Sequence, residues 1–190
     1  MIDYFRRKRF YHYNTPGHAH ELTFWCYQQV RYFDDPVARS VFLQELERAR
    51  AAYRFKLFAY VIMPAHVHLV IAPQEQHYNI IRIRNGIRGC FARRYTRALR
   101  KLNDAHRSRD PDAEQNREVL TLWESGGGED RNLWSADEIN DSIFYIEANP
   151  VRLFLAGAPE QWPASSAYAR RYGVGAIPDD IGTRLLQRAV

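Results

Sequence analysis

Cysteine is scarce in this chain. Cys26 and Cys90 are its two cysteines among 190 residues, and neither belongs to a C-x-x-C pair. That is too few for a disulfide framework, and both are read as buried thiols. Long apolar runs are missing as well. No stretch reaches 18 apolar residues, and the basic start Met1–Phe10 leads into polar sequence, not into an apolar h-region. Neither a membrane span nor a signal peptide is expected, and the protein should be soluble, cytoplasmic and without a membrane partner. Acid is absent where base is densest. From residue 76 to residue 103 there is no Asp or Glu, yet the stretch holds Arg82, Arg84, Arg88, Arg93, Arg94, Arg97, Arg100 and Lys101. A run of one sign is a candidate polyphosphate surface. No internal repeat is visible.

Hydrophobic residues make up 46% and aromatic residues 14%, so the chain is expected to fold. Its length suits one domain with a sizeable core. Net charge is +5, which by itself says little. Met1–Pro16 reads as a basic arm closed by the turn signal Thr15-Pro16-Gly17, residues 17–172 as the main domain, and 173–190 as a tail with a short terminal helix. His18–Gln28 reads as a first strand, opening on His18-x-His20. These two histidines are expected to face solvent or line a cleft. Asp34-Asp35-Pro36 has the form of a helix start, an acidic cap before a proline, and Val37–Ala52 follows at helical spacing. Asn79–Asn103 is expected to be a helix with Ile80, Ile83, Ile87, Phe91, Ala98 and Leu102 near one stripe and arginines over the rest. Gly86 and Gly89 weaken its first half and allow a kink. Solvated helices usually interleave Glu with Arg, and this one does not, which favours a phosphate-facing role. Asp104–Asn116 reads as a loop and Glu118–Glu124 as a short strand. Ser125-Gly126-Gly127-Gly128 reads as a hinge, because it lacks the Lys-Ser/Thr of a P-loop.

The stretch that organises the chain is Ala59–Pro73, an apolar run broken once at Met63-Pro64-Ala65. It predicts a hairpin of Phe55–Met63 with His66–Pro73. In a strand His66 and His68 share a face, about 7 Å apart along the chain. Two readings are open for such a pair: partly exposed strand histidines, or two ligands of one metal ion. The surrounding Val61, Ile62, Leu69, Val70 and Ile71 imply burial, and an unpartnered buried imidazole is costly, which favours ligands. Ser135–Asn149 predicts a third helix, opened by the capping box Ser135/Glu138 and ended or kinked by Pro150. Tyr145 and Asn149 lie one turn apart on it, so an amide oxygen at Asn149 can join His66 and His68 on a divalent ion with Tyr145 alongside. Tyr95, among the arginines, is the competing tyrosine. Its residue one turn on is Leu99, which cannot coordinate metal.

Pro64-Ala65-His66-Val67-His68-Leu69, followed by Tyr145-Ile146-Glu147-Ala148-Asn149-Pro150-Val151-Arg152, resembles the single-tyrosine HUH transposases, in particular the REP-associated tyrosine transposase branch. Trp162-Pro163-Ala164-Ser165-Ser166 is similar to that branch as well, and the resemblance runs from about residue 17 to residue 172. It implies a ferredoxin-like α/β fold with a central antiparallel sheet and the tyrosine on a helix beside it. It implies cleavage and rejoining of single-stranded DNA at REP-like hairpins, through a 5′-phosphotyrosine on Tyr145. His66, His68 and Asn149 would hold Mg²⁺ or Mn²⁺. A monomer in a bacterial, nucleoid-associated setting is the corresponding expectation. The stretch Leu120–Trp134 is longer than in the shortest members. The rival readings are a non-catalytic module binding single-stranded DNA or RNA hairpins, a decayed transposase, and a metal-dependent hydrolase in which Tyr145 is dispensable.

Overall fold

The structure, a computed structural model, describes residues 13–107, 121–126 and 128–181, with 102–107 as helical backbone alone. Most of the basic arm, the segment 108–120 and residues 182–190, the end of the tail for which a short terminal helix is expected, lie outside the described residues. The elements run β1 (Ala19–Trp25), α1 (Pro36–Tyr53), β2 (Phe55–Met63), β3 (His66–Pro73), α2 (Ile80–Arg107), β4 (Glu129–Leu133), α3 (Ala136–Glu147), α4 (Asn149–Arg152) and α5 (Ser166–Tyr172). The strands form one antiparallel sheet in the order β2-β3-β1-β4. This is the ferredoxin-like arrangement that the resemblance implies.

The hairpin of β2 and β3 has the predicted bounds, with a register shift between Leu57 and Ala59. Helix α1 starts as its sequence suggests: Asp35 caps it by accepting from the Val37 amide at 2.8 Å, and Pro36 follows. Alternation along the strands splits the core in two. Leu22, Phe24, Val67, Leu69 and Ile71 face α1 and α2, where they meet Phe42, Leu46, Ile83, Ile87 and Phe91. Ala19, Ala59, Val61, Val70, Ala72 and Leu133 face the other way and pack with Ile139 and Ile146 of α3. Both faces of the sheet are therefore covered, and α3, the helix that carries Tyr145, lies on the face opposite the arginine helix α2.

Several expectations need correction. The first strand is shorter than predicted and gives way to a 3-10 turn at Tyr27–Gln29, where Gln28 has φ +50. Helix α2 runs unbroken through Gly86 and Gly89 and extends to Arg107, past the expected loop start. At Gly86 the Tyr53 ring of α1 lies where a Cβ would project, so a larger residue there has to displace that ring. Within the expected strand Glu118–Glu124, residues 118–120 lie outside the described residues, and Trp123 forms only a single bridge to Cys26. The strand that does pair with β1 is β4, read Glu129-Asp130-Arg131-Asn132-Leu133, which carries no strand signal in the sequence. Its hydrogen bonds come from β1, and its polar side chains suit an edge strand. Cys26 is buried, but Cys90 is only partly so.

The W-P-A-S-S segment seals the other edge of the sheet. Trp162 Nε1 donates to the Ile62 carbonyl at 2.9 Å, the Ile62 amide donates to Ala164 O at 2.8 Å, and the Tyr60 amide donates to Ser166 Oγ at 3.0 Å. Farther along β2, Asp179 exchanges two bonds with Leu57, and Arg50 pairs with Asp179 at 2.7 Å. Unpaired edge groups are thus satisfied without another strand.

Candidate functional site: the histidine face

His66, His68, Val70 and Ala72 alternate onto the α3 face of β3. The register places Thr23 opposite His68 and Trp25 opposite His66. The two imidazoles lie edge to face, ring centroids 4.9 Å apart, and Trp25 lies 4.5 Å over His66. Thr23 Oγ1 and His68 Nδ1 are hydrogen-bonded at 2.9 Å, which leaves Nε2 of His68 for another partner. Desolvation by burial, reinforced by His68, lowers the His66 imidazole to about 4, and burial alone does the same to His68. Both rings are neutral at neutral pH, the form in which imidazole can bind a metal.

The helix expected over Ser135–Asn149 is divided. Ser135 Oγ accepts from the Glu138 amide at 3.1 Å, and Glu138 reaches back to the Trp134 amide at 2.6 Å, a capping box displaced by one residue. The helix stops at Glu147, and Asn149-Pro150 starts the short α4. Ile139, Ser142 and Ile146 point inward, and Asn149 continues that stripe and is buried. Its Nδ2 donates to Ile146 O at 3.3 Å, leaving Oδ1 as the acceptor. Tyr145 lies beside the stripe and is 46% exposed. The Arg152 guanidinium sits 4.5 Å from the centre of its ring. The competing Tyr95 is 4% exposed and donates to Asp35 Oδ2 at 2.9 Å. Burial, then that carboxylate, raises its phenol well above the usual range. Tyr95 joins α2 to the cap of α1, whereas Tyr145 is open to solvent.

Glu21 also lies on this face. Its Oε2 accepts from Ser142 Oγ at 2.9 Å and from Arg131 at 2.6 Å, which pins α3 to the sheet. Thr23, Trp25, Glu21 and Ser142 do not stand out in the sequence; Arg152 closes the second motif quoted above, where it carries no assigned role. The first two emerge only once the strand register is known. Arg152 lies seven residues after Tyr145, two helical turns, and that spacing is a usable signal.

Among the described residues no group of three or more His, Cys, Asp and Glu side chains could hold a metal ion. A divalent ion here would need His66, His68 and an uncharged oxygen. The Asn149 amide is chemically suited to that donor set, since its Oδ1 is not spent on the helix.

The basic residues divide by role. Arg82, Arg93, Arg97, Arg100 and Lys101 are exposed, and Arg93, Arg97 and Arg100 line a surface recess of about 400 Å³ with Thr96. Arg94 is exposed too but pairs with Glu45 of α1 at 2.9 Å, so acidic support comes from a neighbouring helix. Arg84 is buried and donates to Gly128 O at 3.4 Å, and Arg88 donates to Glu124 O at 2.7 Å and lies over Trp123. These two hold Glu124 and Gly128 against α2. Gly128, with φ +88, runs so close to the Thr23 carbonyl that no Cβ fits. His20 departs from expectation. It is wholly buried on the α1/α2 face, with Nδ1 bonded to Asp130 Oδ1 and Nε2 to the Tyr78 hydroxyl, both at 2.8 Å. His18 is half-buried and stacks on Trp134.

The sheet order and the helix on each face define a ferredoxin-like α/β protein whose second face is closed by a tyrosine-bearing helix. Among solved structures it is similar to the REP-associated tyrosine transposase bound to a REP hairpin, with a TM-score of 0.67 and 13% sequence identity over 95% of this chain and 98% of that one. A candidate transposase from Deinococcus radiodurans R1 matches at 23% identity over 75% of this chain and 95% of that one, with a TM-score of 0.44. No protein-family model matches the chain, and no curated protein does. The fold is that of the REP-associated tyrosine transposase, as the two motifs led us to expect. No helix among the described residues is long and apolar enough to cross a membrane.

Proposed function

We propose that this protein is a transposase-type DNA strand transferase that cleaves and rejoins single-stranded DNA beside REP-like hairpins, with Tyr145 as its nucleophile. The observation that carries the reading is the face shared by two neutral, adjacent imidazoles and the helix bearing an exposed tyrosine and a buried amide. The likeness to a transposase holding a REP hairpin supports the substrate class.

His66, His68 and Asn149 would hold Mg²⁺ or Mn²⁺, which when bound supplies positive charge for a non-bridging phosphate oxygen. A free phenol has a pKa of about 10, so little phenolate exists at neutral pH, and a base or water must accept its proton. Tyr145 Oη attacks phosphorus, an O–P bond forms, and the P–O3′ bond breaks. The phenolic proton leaves to that base or water, and a proton is delivered to the departing 3′ oxygen. The 5′-phosphotyrosine conserves the ester bond, so a 3′-hydroxyl can reverse the step and join strands without ATP. Arg152, over the Tyr145 ring, orients the phenol and brings a cation beside the incoming phosphate. The exposed Arg82, Arg93, Arg97, Arg100 and Lys101 of α2 offer further phosphate contacts.

The test is a covalent adduct. Wild-type protein with a hairpin DNA carrying a single-stranded flank and Mn²⁺ should give a protein–DNA species that survives denaturation. Tyr145→Phe should bind the hairpin normally and give none, while Tyr95→Phe should give it. Cleavage without adduct would indicate a water-based hydrolase. Binding with neither would indicate a hairpin-binding module.

A further inference from the structure

We infer that Phe154 is a stacking platform for an unpaired nucleobase of the strand presented to Tyr145. The inference rests on the reading of Tyr145 as a nucleophile toward single-stranded DNA and names a contact of that same site.

The backbone around Phe154 forms a Schellman cap on α4. The Phe154 amide donates to Val151 O at 3.0 Å, and the Leu155 amide donates to Pro150 O at 2.7 Å. That motif places one residue in the left-handed region, usually glycine and sometimes asparagine. Here it is a phenylalanine with φ +57. A side chain in this conformation costs about 1 kcal/mol relative to the right-handed one. No burial offsets the cost, because Phe154 is 96% exposed, more than any other large apolar side chain among the described residues. Glycine would serve the turn better, so the ring's contribution lies outside the fold. Strain and exposure at one residue together point to a contact made with something else.

The surroundings select the partner. Phe154 is two residues from Arg152, hence at most about 7.6 Å away between Cα atoms, and the Arg152 guanidinium lies on the Tyr145 ring. Between residues 145 and 154 the carboxylate present is Glu147, and it is engaged by Arg170 and Ser166. The charge left open between phenol and ring is therefore cationic. A protruding aromatic ring beside a guanidinium is how proteins hold single strands, the ring against a base and the cation against the backbone.

Phe154→Gly makes a clean experiment, because it removes the ring and relieves the turn. Its melting temperature should equal or exceed that of wild type. Binding to a hairpin with a single-stranded flank should weaken about tenfold, the worth of one stacked base. Binding to the blunt hairpin should not change, and an abasic flank should erase the difference between the two proteins. Phe154→Trp should restore binding, and 2-aminopurine in the flank should be quenched by wild type and by Trp but not by Gly. Equal affinity of Phe154→Gly and wild type for the flanked hairpin overturns the inference. So does a change in oligomeric state on losing the ring, which would make it a contact between copies of this chain. If wild type forms no Tyr145 adduct while the flank-dependent Phe154 effect persists, the nucleophile reading fails and the stacking platform stands.

Discussion

The chain carries two H-x-H pairs, one at the entry of β1 and one on the neighbouring β3, and the structure gives His20 and His68 opposite fates. His20, from the first, faces the α1/α2 core with both ring nitrogens bonded, one to Asp130 and one to Tyr78, whose hydroxyl in turn donates to Thr15 O. His66 and His68, from the second, face α3, with His68 bonded through Nδ1 alone to Thr23. Spacing is the same and burial similar, so neither separates a structural histidine from a candidate ligand. What separates them is whether the imidazole has a nitrogen left to give. A histidine bonded at both nitrogens ties elements together, whereas one oriented from behind by a hydroxyl is poised to bind in front.

The largest effect that tests this contrast is on reaction rate. Replacing His66 and His68 together by Ala should reduce adduct formation by about a thousandfold or more if both are ligands, since the metal's charge stabilisation is worth several kcal/mol. The hairpin should still bind within a few fold. Calorimetry with Mn²⁺ reads the site directly, and unchanged ion affinity in the double variant would remove it.

His20→Ala should show the reverse pattern. It removes two buried hydrogen bonds, one to a carboxylate, and opens a cavity, so a loss of about 3 kcal/mol of stability is expected. Below its melting point the variant should bind Mn²⁺ as wild type does. A stable His20→Ala protein with weakened ion binding would make the first pair part of the site.

How much of this contrast is legible in the sequence depends on which partners are local. The β2–β3 hairpin can be read with its ends, because its apolar run, its Pro break and its turn are contiguous. Asp35 and Ser135 are readable as helix starts for the same reason. The H-x-H at 66–68 and its distance from Tyr145 and Asn149 are legible as a pattern. The fate of His20 is not, since Asp130 lies 110 residues away on a strand too polar to announce itself. Thr23 and Trp25 share β1 with His20, yet their roles follow from a register that no local pattern encodes. Arg84 and Arg88 group with the other arginines because composition does not distinguish a guanidinium that holds a loop from one that meets solvent.

A smaller effect sharpens the comparison at a single atom. A metal on Nε2 of His68 requires the proton on Nδ1, where it donates to Thr23 Oγ1. Thr23→Val keeps shape and burial but removes that acceptor. Mn²⁺ affinity should fall about tenfold, the usual penalty for losing an outer-shell partner. Unchanged affinity would show that the hydroxyl does not orient the ring.

The smallest effect is read as a slope of stability against pH, in metal-free protein. His66 and His68 are held near 4 by burial, against 6.5 for an ordinary histidine. Between those values the unfolded chain binds protons that the folded chain refuses, so the unfolded state is favoured as pH falls. The contribution of this pair is whole above pH 6.5, declines as pH drops toward 4, and declines no further below that. Carboxylates titrate toward the acid end of the same range, so the informative quantity is the difference between wild type and the variant with Ala at both positions, followed by chemical denaturation. The variant should lose stability less steeply between pH 6.5 and 4, whatever its stability at neutral pH. Parallel curves would mean that solvent reaches both imidazoles, and a pair so solvated would need its own account of why it sits on an otherwise apolar face of β3.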